Sequence, residues 1–214
     1  MPSLWLPTLA LCALASIAGA QSRKRPPAPP ASRTFTTAPV TIACPQMLGE
    51  GVATHRAFCG IQAGTDPLEG AIVRLPPHRG PATLTFDLHN RHTYSAELVD
   101  SGRGFTRATA TIGVLAMNKT LLTRAVVQTE FRRAADLFDR VTAGAGMAGV
   151  KAIAPIGIEP VTLDIAEGIS AVSILGEKLV IVGAGTGETI TGVGRPIAVV
   201  SNVRLRYRQA PKRR

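Results

Sequence analysis

Two of the chain's four histidines fall within one short stretch, Asp87-Leu88-His89-Asn90-Arg91-His92. Imidazole and carboxylate together are the donor set of zinc and copper sites, and the same pairing serves hydrolases as a general base. A metal ion needs three or four ligands, so His55, His78 or a distant carboxylate would have to join them. Strand register argues against a ready-made histidine pair. Leu84, Phe86 and Leu88 share one face of an alternating run, and Tyr94, Ala96 and Leu98 form the next alternating set. Setting Leu88 opposite Tyr94 leaves Asn90-Arg91-His92 as a three-residue hairpin loop. Asp87 and His89 then lie on the polar face and His92 at the loop tip, so the stretch reads as solvent-facing turn residues and no metal site is expected.

Other routes to catalysis are weaker. No Gly-x-Ser-x-Gly elbow occurs, and neither Ser101 nor Ser173 stands in a nucleophile context. Asp136 and Asp139 are spaced as on the solvated face of a short helix, and nothing in the sequence brings Glu130 and Asp164 together. The run Lys178 to Gly183-Ala-Gly185 imitates the opening of a dinucleotide-binding fold. Its third glycine position holds Glu188, and Thr189-Ile190-Thr191-Gly192 cannot begin the required helix. Two strands joined by a glycine-rich loop account for it, so no cofactor and no catalytic residue is expected.

The charge is more informative. Thr34 to Val203 holds fourteen Lys and Arg against fourteen Asp and Glu, so the net +10 belongs to Arg23–Arg33 and Arg204–Arg214. In Arg204-Leu205-Arg206-Tyr207-Arg208 the basic residues alternate with apolar ones, which predicts a strand with a row of three guanidiniums on one face. Side chains two residues apart on a strand stand roughly 6–7 Å apart, a spacing suited to successive anionic groups on a polymer. Arg204, Arg206 and Arg208 are therefore the candidate contact residues for a polyanion: an anionic glycan, lipid headgroups or nucleic acid. The competing account is that arginines on an exposed edge strand keep sheets from pairing and the protein soluble. A flat aromatic sugar platform is disfavoured by the 4% aromatic content.

The elements that must position these residues read as short strands. Ala82–Leu88, Phe105–Leu115, Ala125–Phe131, Val161–Ile165, Ala171–Leu175, Lys178–Val182 and Ile197–Tyr207 alternate or are β-branched, with Gly or Pro between most of them. Only Arg133–Thr142 has helical spacing, with Gly144 and Gly146 beyond it. The expected fold is all-β: an antiparallel β-sandwich, jelly-roll or Ig-like, with one short helix. Leu4–Ala20 is uncharged, rich in Leu and Ala, and ends in Ala18-Gly19-Ala20, a signal-peptide pattern. The domain reading is residues 1–20 as signal peptide, 21–34 as a basic Pro-rich disordered linker, 35–209 as the sandwich and 210–214 as a basic tail. Cleavage removes Cys12 and leaves Cys44 and Cys59, an even pair expected to bridge in an oxidising compartment. No transmembrane span is expected in the mature chain, and the location is secreted or periplasmic. Asn118-Lys119-Thr120 is a sequon that matters only in a eukaryotic secretory route. The expected role is a non-catalytic binding or structural module, with a secreted hydrolase or metal-dependent enzyme using the His/Asp stretch as the alternative.

Overall fold

The computed structural model describes residues 34–141, 152–183 and 185–210. The signal segment, most of the basic linker, the glycine-rich stretch that follows Val141 and the last residues of the basic tail lie outside that range. The protein is an all-β sandwich of two six-stranded antiparallel sheets. The strands are β1 (Thr36–Pro39), β2 (Ile42–Ala43), β3 (Gln46–Glu50), β4 (Ala57–Gln62), β5 (Ala71–Arg74), β6 (Ala82–Tyr94), β7 (Thr106–Ala116), β8 (Leu121–Phe131), β9 (Ala152–Ile165), β10 (Ala171–Gly183), β11 (Thr186–Ile190) and β12 (Pro196–Tyr207). One sheet runs β3-β4-β12-β6-β9, with β1 also on β12; the other runs β2-β5-β10-β7-β8, with β11 on β10.

The inward faces follow the alternation of the sequence. Leu84, Phe86 and Leu88 of β6 meet Ala110, Ile112 and Val114 of β7 and Val172 and Ile174 of β10 in one buried core. A second, smaller cluster of Leu48, Phe58, Val141 and Val199, with Phe138 and Ile153 against it, covers part of the other face of the β6 sheet. Cys44 and Cys59 are bridged, Cα to Cα 5.8 Å. Cys44 follows β2 in one sheet and Cys59 lies in β4 of the other, so the bond staples the two layers together. Gly183 stands opposite Thr186 in an antiparallel β10–β11 hairpin, which is the geometry opposite to a nucleotide-binding crossover.

Several expected boundaries differ from the structure. The Asn90-Arg91-His92 hairpin does not form: β6 is one 13-residue strand running straight through it. It lies between β12 and β9, whose registers together cover Ala82 to Tyr94, so its backbone donors and acceptors find partners without turning. The run after Tyr94 is a short helix, α1 (Ala96–Asp100), and not a strand. Ser95 caps it by accepting from the Leu98 N–H, and Gly102, with φ of 72°, follows its last turn. The helix expected from Arg133 shrinks to a single 3-10 turn at Ala134–Asp136. Leu137 then bridges Ile156, and the Phe138 N–H donates to the Pro155 carbonyl at 2.9 Å, so pairing with β9 outcompetes the local helical spacing. Asp139 is not on a solvated face; it is 4% exposed and accepts from the backbone N–H groups of Ala53, Thr54 and Arg140 and from the Thr54 hydroxyl. Burial raises its pKa, but those four donors together hold it below the usual carboxylate value.

The last named strand is also placed differently from the edge-strand account. Along one side β12 pairs with β6 from Ala198 to Arg206. Along the other, β4 takes Pro196–Val200 and β1 takes Arg204–Tyr207, end to end. A strand flanked on both sides has no free edge to protect, so blocking sheet-to-sheet pairing cannot be the reason for its arginines.

Candidate functional site

The arginine row forms as the alternation demands. Leu205 and Tyr207 enter the core while Arg204, Arg206 and Arg208 are exposed on the outer face. Arg204 lies between Pro39 of β1 and Thr85 of β6, and Arg206 between Thr37 and Thr83. The guanidinium carbons of Arg206 and Arg208 stand 4.2 and 4.5 Å from the centroid of the Phe35 ring. Arg204 donates from Nε to Asn202 Oδ1 at 3.1 Å. Among the described residues none of the three has a carboxylate within 4.0 Å. Backbone bonds hold the strand's end in place beyond Tyr207: the Arg79 N–H donates to the Arg208 carbonyl at 2.9 Å, and the Ala210 N–H to the Pro77 carbonyl at 3.2 Å. Two guanidiniums over one ring, with no carboxylate within 4.0 Å among the described residues, are oriented by cation–π attraction.

A second constellation lies on the same face of the sheet, further along β6, and is closed to solvent. His89 is 0% and Ser201 1% exposed. His89 Nδ1 stands 2.6 Å from the Gly157 carbonyl and Nε2 2.9 Å from Ser201 Oγ. A carbonyl only accepts, so Nδ1 carries the proton. Burial lowers the His89 pKa despite the opposing pull of the Gly157 bond and Asp87, so the ring is neutral and the Ser201 hydroxyl donates to Nε2. That polarity matches a nucleophile and its base, but Phe58 and Phe138 pack on the imidazole at 5.6 and 4.7 Å between centroids. A substrate carbonyl has no approach to the hydroxyl in this conformation, and the pair acts as an internal clamp.

Two bulges build that clamp. The β6–β9 register shifts between Leu88 and Asn90, where Gly157 adopts φ of 67° and turns its carbonyl toward His89. A Cβ at Gly157 would collide with the Thr129 methyl, so glycine is required there twice over. The β12–β6 register shifts between Ser201 and Arg204, with Asn202 at φ of 53°. Asn202 Nδ2 donates to Asp87 Oδ2 at 3.1 Å, and Arg56 bonds the same oxygen at 2.8 Å. A continuous polar chain therefore runs from the exposed row through the buried Asp87 to the partly exposed Arg56: Arg204, Asn202, Asp87, Arg56. Beside it, where neither β4 nor β1 covers β12, a 270 Å³ cavity opens between Val40, Met47, Phe58 and Arg204.

The structure separates the histidines. His89 faces outward from the sandwich under Phe138, whereas His92 faces inward against the Phe131 ring at 3.9 Å between centroids. Neither is a turn residue: with Asp87 at 8%, His89 at 0% and His92 at 9% exposure, the stretch is interior. His78 lies 3.1 and 3.4 Å from the Pro76 and Ala166 carbonyls, and His55 occupies the exposed β3–β4 turn with φ of 54°. Among the described residues no three His, Cys, Asp or Glu side chains gather as a metal site would require. Ser201, Asn202, Arg56, Phe138 and Gly157 were not singled out by motif. The bulge shows only in the structure: Ala198 and Val200 point inward, as do Leu205 and Tyr207, whereas Ile197-Ala198-Val199-Val200 is apolar throughout and displays no parity in the sequence.

Fold and site together define an all-β, disulfide-stapled sandwich with a basic outer face. The chain matches no protein-family model, no curated protein and no solved structure.

Proposed function

We propose that this protein is an exported, non-catalytic binding module that contacts an anionic polymer through Arg204, Arg206 and Arg208. The observation that carries this reading is the pair of guanidiniums held on Phe35 without a carboxylate partner among the described residues. Two like charges at the roughly 6–7 Å spacing of alternate strand residues repel by about 0.6 kcal/mol in water, and an anion placed between them turns that cost into attraction. Threonine hydroxyls at Thr37 and Thr85 border the row and add uncharged hydrogen-bonding groups to a flat strand surface. Export is supported by the Cys44–Cys59 bond and by the signal-like pattern of Leu4–Ala20.

The test is affinity for a polyanion as a function of salt, comparing the native chain with Arg204→Gln, Arg206→Gln, Arg208→Gln combined. The native protein is expected to show a steep loss of affinity with salt, and the triple variant to lower the log–log slope by about 2 to 3. Equal, weak retention of both proteins at low salt sinks the reading and returns the arginines to a solubility role.

A further inference from the structure

We propose that the gap between β1 and β4 in the β6 sheet binds a medium-length fatty carboxylate, with its chain in the gap and its head on Arg56 and Arg204. The site shares Arg204 with the polymer-binding row but stands apart from that role. It arises because two short strands share one long neighbour. β4 pairs with β12 as far as Val200, and β1 takes over at Arg204, so Ser201, Asn202 and Val203 have no partner strand on that side. The Val40 N–H donates to the Val203 carbonyl at 3.4 Å, and the bulge with Asn202 at φ of 53° bends β12 there. The 270 Å³ cavity is the space this leaves.

Its lining is mostly aliphatic. Val40, Ile42 and Val203 are half-buried against the main core, the buried Phe58 and Val200 complete the wall, and Met47 is 58% exposed beside them. Small-molecule sites have this character, an apolar surface with a few placed polar groups. The unbranched Met47 side chain can follow a flexible ligand. At about 30 Å³ for a group the size of water, the cavity holds about nine such groups, which suits a chain of about eight carbons.

The polar groups select the head. Arg56, Asn202 and Arg204 all line the cavity and are tied together through Asp87. Those bonds use only Nη1 of Arg56 and Nε of Arg204, so the other guanidinium donors have no partner among the described residues. The Phe138 ring, its centroid 5.4 Å from the Arg56 guanidinium carbon, holds that side chain in place. Among the described residues that line the cavity two are basic and none is acidic. With Asp87 counted, the group carries one net positive charge. A carboxylate neutralises that charge and accepts charge-assisted bonds from both guanidiniums, whereas a phosphate dianion exceeds it.

Octanoate is the probe, titrated calorimetrically into the full-length protein beside hexanoate, 1-octanol, octyl phosphate and 3-phenylpropanoate. Octanoate is expected to saturate one site, about tenfold tighter than hexanoate, which lacks two methylenes, and about tenfold tighter than octanol, which lacks the charge. Ala57→Phe places a ring in the cavity, and Met47→Glu places a like charge beside the head. Both positions are exposed, so the fold should tolerate either change, and each should weaken octanoate about tenfold or more. Arg204→Gln should weaken octanoate and leave octanol unaffected. Octanoate that does not saturate, or that binds both cavity variants as well as the native chain, overturns the site. Equal affinity for hexanoate overturns the buried chain, and equal affinity for octanol overturns the anionic head. Tighter binding of octyl phosphate or of phenylpropanoate than of octanoate overturns the carboxylate or the aliphatic chain, respectively. None of these readouts involves a polymer, so the row's role and this site fail separately.

Discussion

His92 sits on the Phe131 ring, and loss of solvation pushes its imidazole from an ordinary 6.5 down to about 4. Burial moves His89 in the same direction. The native state therefore refuses protons that the unfolded chain accepts. Stability is full above the unfolded value of 6.5 and falls as the pH drops toward about 4, because protonation pulls the equilibrium to the unfolded side. The urea midpoint is expected to decline through that window, and His92→Leu should flatten the part of the decline above about pH 5, before ordinary carboxylates begin to titrate. A midpoint that stays level across the window means that His92 is not buried as a neutral ring. Asp139 depends on pH in the same direction over a more acid window: its lowered pKa contributes stability above the ordinary carboxylate value, which is lost as the pH falls through and below that value. The two kinds of group thus separate along the pH axis.

At the scale of the element, β6 is the strand that organises the molecule. Its outward residues build the His89 clamp, while its inward Asn90 crosses to the other sheet. The Asn90 amide nitrogen lies 3.0 Å from the Ala108 carbonyl, 3.1 Å from the Val127 carbonyl and 2.9 Å from the Thr129 hydroxyl, and the side chain is 0% exposed. A polar side chain spanning the layers in this way sets how β6 lies over β7 and β8. Asn90→Ala removes these bonds from a sealed site and is expected to cost about 2–3 kcal/mol in a denaturant titration. A cost near zero would assign the register to apolar packing alone. Much of this element was legible: Leu84, Phe86 and Leu88 face inward as their alternation requires. Its length was not. Asn90-Arg91-His92 has the composition of a turn, and only the presence of β9 on one side and β12 on the other makes continuing as strand the lower-energy course. The same applies to Arg133–Asp139, where helical spacing lost to the hydrogen bonds offered by β9 and by the loop at Ala53 and Thr54.

For the whole molecule, the two layers are tied covalently where few residues hold them. β2 has two residues and β3 five, so that margin of the sandwich contributes little strand pairing of its own. The Cys44–Cys59 bond spans 15 residues of sequence, and closing such a loop removes about 3 kcal/mol of unfolded-state freedom. Replacing both cysteines with alanine is expected to lower unfolding stability by about that amount while leaving the circular dichroism of the sheets unchanged. A loss below roughly 1 kcal/mol would show that the layers hold together at this margin without the staple.

By itself the sequence determined the all-β class, because period-two alternation and turn residues act locally and need no distant partner. It also determined the cysteine pair and the outward parity of Arg204 and Arg206. Only the tertiary structure decided what lies opposite each face. Alternation says that Asp87 and His89 share a side of β6, but not that Phe58 and Phe138 cover that side. It says that Arg206 and Arg208 point outward, but not that Phe35, from the far end of the chain, lies beneath them. Burial and charge clustering are sums over neighbours remote in sequence, and those neighbours exist only once the strands have paired.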